Sequence, residues 1–380
     1  MTSRILIGDC REWLTQLEPN SIDSCVTDPP YHLTSIVKRF GAANAAPAKS
    51  GKTGAYERAS RGFMGQTWDG GEVAFDPATW EAVWRVLKPG AHLIAFSGTR
   101  TYHRMACAIE DAGFEIRDQL AWCYGSGFPK SHNQKDEWEG WGTALKPAWE
   151  PICLARKPLQ GTVAGNLAKH GTGALNIDGC RVGDEVRHAS FTSLAPCHGN
   201  ALGQPGTAEA RRGTQGEPKE YVGRWPANIL HDGSDEVLAA FPDSEGSGPA
   251  RTLKRGLRDD GWGMGDLPGQ LRDSGEGSAA RFFYCAKTST EERGEGNNHP
   301  TVKPIDLMRW CCRLITPPGG TIIDPFMGSG STLIAADAEQ FNAIGCELSP
   351  DYAEITENRI RKSAGLFTEI QIECLAGDAA

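Results

Sequence analysis

The chain reads as an α/β protein built on a mostly parallel, doubly wound sheet, and three observations predict it. Apolar runs of strand length alternate with amphipathic helical stretches along most of the sequence. Two of those runs end in acid-bearing turns, Asp28-Pro29-Pro30-Tyr31 near the start and Asp324-Pro325-Phe326-Met327-Gly328-Ser329-Gly330 near the end. Open α/β sheets bind ligands beyond the carboxyl ends of their strands, so these turns are the candidate site. A length of 380 residues suffices for one large domain and an inserted module.

Arg4 to Asp9 is expected to be a strand closed by a Gly-Asp turn, with the helix Cys10 to Leu17 behind it. Asp9 then either caps that helix or faces a ligand beyond the sheet edge. Ile22 to Val26 is the next strand, and it runs into Asp28-Pro29-Pro30-Tyr31. Consecutive prolines lack N–H donors and fix φ, so Asp28 and Tyr31 leave the strand on a stiff platform. A carboxylate, exposed carbonyls and an aromatic face suit a planar amino-bearing group such as a nucleobase. A strand ending in a capping aspartate and a packed tyrosine is the plainer alternative.

Residues 36–62 carry Lys38, Arg39, Lys49, Lys52, Arg58 and Arg61 against the single acid Glu57. This basic segment directly follows Tyr31, and it reads as a mobile loop contacting DNA. Thr79 to Leu87 is a helix stopped by Lys88-Pro89-Gly90, Ala91 to Phe96 a buried strand, and Thr101 to Ala112 a helix closed at Gly113. Phe114 to Tyr124 and Glu150 to Ala155 are further strands, separated by a loop that opens with Gly125 to Ser131.

From about Pro158 to Ser278 glycine, proline and charge dominate and periodicity fades, leaving 223–230 and Glu236 to Phe241 as the ordered pieces. Acids outnumber bases there, although Arg211-Arg212 and Lys254-Arg255 with Arg258 are candidates for phosphates or guanine edges. Ala280 to Lys287 then reads as an apolar strand. Asn297 to Pro304 opens the helix Ile305 to Ile315, whose start, with Thr301 and Lys303, suits a carboxylate. Thr321 to Asp324 is a buried strand, and the turn through Gly328 and Gly330 lets backbone approach a ligand before the helix Thr332 to Glu339. Glu347 ends the following strand, where an acid can hold both ribose hydroxyls. Ser349 to Arg359 is the next helix, and the tail after Ser363 is expected to be peripheral.

The net charge of -9 argues against a globally basic nucleic-acid protein. Phosphate contacts are local, however, so the basic segment outweighs the sum. The start of the chain leads straight into a strand, and no run approaches membrane-spanning length, so a soluble, cytoplasmic protein without a signal peptide is expected. The twelve cysteines are scattered, with only Cys311-Cys312 adjacent, and read as reduced thiols rather than metal ligands.

Taken together, the two turns and Glu347 resemble the amino-group DNA methyltransferases that use S-adenosylmethionine, in the permuted (beta) order with the catalytic motif before the cofactor motif. The resemblance runs from Arg4 to about Arg359 with a gap in the middle. It implies a Rossmann-like methyltransferase fold with an antiparallel strand near one edge and a loop-rich target-recognition insert. The implied division is 1–157 and 280–363 as the catalytic and cofactor-binding halves of one domain, 158–279 as target recognition and 364–380 as tail. It assigns catalysis to Asp28, Pro29, Pro30 and Tyr31. The cofactor falls to Asp9, Asp28, His299, Thr301, Lys303, Asp324, Phe326, Gly328, Ser329, Gly330, Ser331 and Glu347.

In this superfamily an aspartate at the first motif position favours adenine N6 and a serine cytosine N4, so Asp28 points to adenine without settling it. Asparagine there marks RNA and protein-glutamine enzymes. A cytosine-C5 enzyme needs a cysteine nucleophile, and the sole Pro-Cys dipeptide, Pro196-Cys197, lies in the glycine-rich middle. A small-molecule methyltransferase or an inactive DNA-binding module remains the alternative from another class; the long insert and the intact motifs argue against them. Segments Trp225-Pro226-Ala227-Asn228 and Asn297 to Pro304 resemble phage-borne methylases, which implies a solitary (orphan or prophage-type) enzyme or one half of a restriction-modification pair. Duplex DNA, a flipped base and a homodimer are the implied partners and assembly.

Overall fold

The computed structural model describes residues 1–31, 72–127, 131–189, 219–244, 277–286, 302–363 and 368–375. Its elements in the first half are β1 (Thr2–Ile7), α1 (Cys10–Gln16), β2 (Ile22–Thr27), α2 (Pro77–Val86), β3 (Leu87–Phe96), α3 (Tyr102–Asp111), β4 (Glu115–Cys123), β5 (Trp149–Arg156) and α4 (Val163–His170). There follow β6 (Val182–Ala189), β7 (Lys219–Arg224), β8 (Ile229–His231), α5 (Asp235–Ala240), β9 (Asp243–Ser244), β10 (Gly277–Ser278), β11 (Tyr284–Cys285), α6 (Ile305–Ile315), β12 (Thr321–Asp324), α7 (Ser331–Ala338), β13 (Asn342–Glu347), α8 (Pro350–Ser363) and β14 (Glu369–Cys374).

Ten strands form one sheet in the order β11-β8-β4-β5-β3-β2-β12-β13-β1-β14. The pairings from β3 across to β14, and that of β4 with β8, are parallel. β5 alone runs against both of its neighbours, β3 and β4. The α/β, mostly parallel architecture with one antiparallel strand is therefore the observed one. β2 and β12 lie side by side although about 300 residues separate them in the chain, with Ile322 opposite Ser24 and Ile323 opposite Cys25. From that pair β2 leads outward to β3 and β12 leads the opposite way to β13. Such a reversal of winding opens a crevice at the carboxyl edge, and both acid-bearing turns start there.

Why β2 sits centrally is written in its residues. All six are buried, including its polar ones, and those polar side chains have partners. Asp23 accepts from Lys88 Nζ at 2.6 Å and from the Thr321 amide at 2.9 Å, and Ser24 Oγ meets Thr316 Oγ1 at 2.8 Å. Thr27 Oγ1 donates to Asp324 Oδ1 at 2.6 Å. Buried polar groups are tolerated only when so paired. Around them Leu93, Ile94, Phe96, Trp80, Trp310, Ile322 and Ile323 are fully or almost fully buried between sheet and helices.

By chain contacts the molecule divides into two units, Met1–Cys180 with Asn228–Val237 and Cys285–Ala380, and Arg181–Ala227 with Leu238–Tyr284. Residues 158–180, expected to open the insert, lie in the first unit and carry a well-capped helix: Thr162 Oγ1 accepts from the Gly165 amide at 3.1 Å, and Gly171 closes α4 at φ +76°. Buried Asn166 ties α4 to β3 by donating to the Pro89 carbonyl at 2.8 Å. One expectation is corrected. The described part of the apolar run expected as a strand from Ala280 is a 3₁₀ turn, Ala279–Phe282, followed by a strand of only two residues. The tail lies at the sheet edge and supplies β14, which pairs in register with β1 from Thr2–Glu369 to Ile7–Cys374.

In the second unit β6 and β7 form an antiparallel pair, and β9 pairs with β10. Arg181 lies over the Tyr221 ring at 4.4 Å and the Trp225 ring at 5.6 Å, while Arg224 binds Glu185 at 3.0 Å. No described helix is long and apolar enough to cross a membrane.

Candidate active site

Asp28 follows the last residue of β2, and its two oxygens have different fates. Oδ2 accepts from the Lys303 ammonium at 2.6 Å. Oδ1 is buried and has no hydrogen-bond partner among the described residues. Lys303, almost fully buried just before α6, also donates to Tyr31 OH at 3.0 Å and lies 3.3 Å from Glu150 Oε2. Tyr31 OH in turn donates to Glu150 Oε2 at 3.2 Å, and the Tyr31 carbonyl accepts from Thr101 Oγ1 at 3.0 Å. The Tyr31 ring lies against Gly98, where an added Cβ would come within 3.3 Å of it.

Burial alone would push the Lys303 ammonium toward losing its proton, but Asp28 and Glu150 outweigh that and hold its pKa well above the usual lysine value. Burial, then the same two carboxylates, push the Tyr31 phenol well up, so it stays protonated. The result is a platform on which a protonated ammonium and a neutral phenol hold the side chains of Asp28 and Glu150.

The second turn begins at Asp324, at the end of the strand beside β2. Its carboxylate accepts from Thr27 Oγ1 at 2.6 Å, from Thr332 Oγ1 at 2.5 Å and from the Phe326 amide at 3.1 Å. Burial pushes its pKa up to about 6, against the pull of those hydrogen bonds. The Thr27 bond is the direct tie between the two turns. Thr27→Val removes one of the two hydrogen bonds on Asp324 Oδ1, leaving the Phe326 amide, and is expected to cost about 1–3 kcal/mol of stability, measured as a lower midpoint of urea unfolding.

Gly328 and Gly330 take φ of +55° and +80°, which places the backbone in the left-handed region that glycine adopts without strain. The turn is held from behind by α8: Thr356 Oγ1 donates to the Gly328 carbonyl at 3.0 Å, and buried Arg359 donates to the Ser329 carbonyl and, at 3.1 Å, to Ser329 Oγ. α7 starts at Ser331 with no side chain capping its N-terminus. Phe326 meets Trp80 edge to face with ring centroids 6.5 Å apart.

Glu347, at the end of β13, accepts from the Gly328 amide through Oε2 and the Ser349 amide through Oε1, each at 2.8 Å. Burial pushes its pKa up to about 7. One strand further out Asp9 caps α1, accepting from the Arg11 amide at 2.8 Å and from the Arg11 guanidinium at 2.7 Å. Those Arg11 bonds hold its carboxyl below the usual range. The capping role is the one this geometry displays.

Asp28, Tyr31 and Lys303 thus converge, and Asp324, Phe326, Gly328, Ser329, Gly330, Ser331 and Glu347 form the adjoining turn and strand end. Lys303, expected to meet a cofactor carboxylate, contacts Asp28, Tyr31 and Glu150. His299, Thr301 and the basic segment with Lys38, Arg39, Lys49, Lys52, Arg58 and Arg61 lie outside the described residues, as do Pro129-Lys130, Arg211-Arg212, Lys254-Arg255 and Arg258. Glu150 escaped the sequence reading. The usable signal was that β5 is antiparallel, because an antiparallel strand begins at the edge where its parallel neighbours end.

A protein-family model described as DNA methylase, of the N6/N4 kind, matches residues 22–358. The chain belongs to this family. Among curated relatives, the type II methyltransferase M.HindIII of Haemophilus influenzae is 22% identical over 373 residues, 91% of each chain. M.Cfr9I of Citrobacter freundii is 36% identical over 63 residues, which is 17% of this chain and 21% of that one. Among solved structures, the Thermus thermophilus protein TTHA0409 complexed with S-adenosyl-L-methionine aligns at 18% identity over 98% of this chain and 99% of its own, with a TM-score of 0.45. As an N6/N4-type DNA methylase the protein methylates an exocyclic base nitrogen, and the Asp28 platform has the polarity such a group requires.

Proposed function

We propose that this DNA methylase transfers a methyl group from S-adenosylmethionine to the exocyclic N6 of adenine in duplex DNA, after the base has been rotated out of the helix. The observation that carries the reading is Oδ1 of Asp28, a buried acceptor with no partner among the described residues, at the end of a central strand beside the Asp324 turn. The aspartate itself, in place of serine, supports adenine over cytosine. The insert between the two motifs, taken as 158–279, reads the target sequence, and the basic segment 36–62 holds the DNA backbone. The enzyme works as a homodimer.

The donor set fits the cofactor. Each Glu347 oxygen accepts one backbone amide, and a carboxylate oxygen has a second lone pair for a ribose hydroxyl. The uncapped start of α7 offers backbone N–H groups to a carboxylate. When bound, S-adenosylmethionine supplies an activated methyl group on its sulfonium.

An aromatic amine is a poor nucleophile because its lone pair is delocalised into the ring. Asp28 Oδ1 and the Pro29 carbonyl take the two amine hydrogens, which biases the nitrogen toward tetrahedral geometry and aims its lone pair out of the ring plane. Tyr31 supplies a stacking face. Transfer would exchange the sulfonium S–CH₃ bond for an N–CH₃ bond and leave a neutral thioether; Asp28 stabilises the positive charge the amine gains until the amine gives up one proton to solvent. No covalent enzyme intermediate is involved. The test is tritiated-methyl transfer to duplex DNA followed by chromatography of its nucleosides. Label in N6-methyldeoxyadenosine is expected; label in N4-methyldeoxycytidine would overturn the adenine assignment.

Cofactor affinity should depend on pH through Glu347. Its pKa is raised to about 7, so below that value it carries a proton and presents a donor where an acceptor is needed. Affinity is expected to rise with pH up to about 7 and to weaken below it by about tenfold per unit. The same raised values at Glu347 and Asp324 have the opposite effect on the cofactor-free fold. Groups protonated more readily when folded stabilise at low pH, and that contribution is lost as pH rises from about 4 through about 6 and 7. Calorimetric titration with S-adenosylmethionine at several pH values, beside thermal melts of the free protein, checks both signs.

A further inference from the structure

We propose that Glu150 is a positioning residue of the methyl-acceptor site, which together with Lys303 and Tyr31 builds a ring of contacts that holds Asp28 correctly turned. The proposal rests on the methyl-transfer reading above. Its basis is a closed set of contacts contributed by three separate parts of the chain. The Lys303 ammonium donates to Asp28 Oδ2 at 2.6 Å and to Tyr31 OH at 3.0 Å, and it is ion-paired with Glu150 Oε2 at 3.3 Å. The Tyr31 hydroxyl has a single proton and donates it to Glu150 at 3.2 Å. Glu150 therefore fixes both the cation that orients Asp28 and the ring that would stack on the base.

The location explains how a residue of β5 reaches the site. β5 runs against β3 and β4, with Trp149 opposite Cys123 and Ile152 opposite Phe96, so its first residues stand at the edge where β2 ends. The Lys303 ammonium also sits 5.1 Å from the Phe96 ring centroid and 5.3 Å from that of Tyr31, which walls it from water. Side-chain exposure is 9% for Lys303, 20% for Asp28 and 22% for Glu150, so these charges interact with little solvent screening.

Charge counting shows what the ring does. Two carboxylates within reach of one ammonium leave a net charge of minus one. Without the ammonium the two carboxylates would repel, and Asp28 would lose the partner that turns its Oδ1 away from Lys303. The other titratable groups facing the ring are Tyr124, at the end of β4 and sensing both Glu150 and Lys303, and Asp324, sensing Asp28. Tyr124 is pushed up, chiefly by burial, and stays neutral.

The experiment compares the full-length wild type with Lys303→Met, Glu150→Gln and the double variant, reading kcat and KM for duplex DNA, with circular dichroism melts to show that each is folded. Lys303→Met is expected to lower kcat at pH 7 by about a hundredfold while KM for DNA changes by no more than a few fold. Glu150→Gln is expected to lower kcat by about tenfold with the same unchanged KM. The double variant should lose little more than Lys303→Met alone, the non-additivity expected of two members of one ring and not of two separate structural defects. A folded Lys303→Met with wild-type kcat, or a double variant whose losses multiply, overturns the ring while leaving the methyl-transfer reading intact. A wild type that labels no DNA overturns both.

Discussion

Asp28→Ala is expected to reduce methyl transfer to duplex DNA by about a thousandfold, the scale seen when a hydrogen-bonding group aimed at developing charge is deleted. The two oxygens of this side chain have separate tasks. One holds the Lys303 ammonium at 2.6 Å, and the other is a buried acceptor with no partner among the described residues. Alanine removes the group that takes the amine hydrogen and leaves the ammonium to Glu150 and Tyr31. Asparagine should rescue little. Its amide has one acceptor oxygen, so either that oxygen faces Lys303 and an NH₂ faces the substrate amine, or the reverse arrangement sets NH₂ against the ammonium. S-adenosylmethionine binding should weaken far less than transfer, because Asp28 is one of its expected contacts while Glu347 and the Gly328 to Gly330 turn are untouched. Single-turnover transfer of a tritiated methyl group, beside a cofactor titration, measures both quantities. Full activity in Asp28→Ala would sink the mechanism.

Gly330→Val is expected to destabilise the protein by about 3 kcal/mol or more and to abolish measurable cofactor binding. Two costs add. A φ of +80° is strained for any side chain, worth about 1–3 kcal/mol, and more for a β-branched one. A Cβ at Gly330 would also overlap the side chain of Thr356, with its Oγ1 at 2.8 Å, and Thr356 is the residue that holds the Gly328 carbonyl. Moving Thr356 aside therefore unfastens the turn it supports. Gly330→Ala carries the same strain with a smaller overlap and should fall between valine and wild type. Urea unfolding and calorimetric titration with the cofactor check the pair; a valine variant that binds normally would show that the turn is not part of the site.

How much of this was legible beforehand differs between local and distant features. The helix Ile305 to Ile315 is observed over the expected residues, because its apolar positions recur at helical spacing and Thr316 ends it before two prolines. β2 and β12 were legible as short apolar runs bounded by turn residues. The run Ala280 to Lys287 misled for the same reason, since apolar character alone does not separate a strand from a buried turn. β14 was missed because its exposed, alternating residues carry no strong pattern, and its place is decided by the edge of β1 that it covers.

The sequence by itself determined the α/β alternation, the two acid-bearing turns and the glycines that let the second one close. Those are properties of neighbouring residues, encoded in spacing and backbone freedom. Tertiary structure alone decided that Asp28 and Asp324 stand at the ends of adjacent strands, joined through Thr27, and that Lys303 and Glu150 meet at Asp28. Strand order and the reversed direction of β5 set those meetings. No local pattern records which strand lies next to which, because pairing is chosen by the burial and hydrogen bonding of the whole sheet.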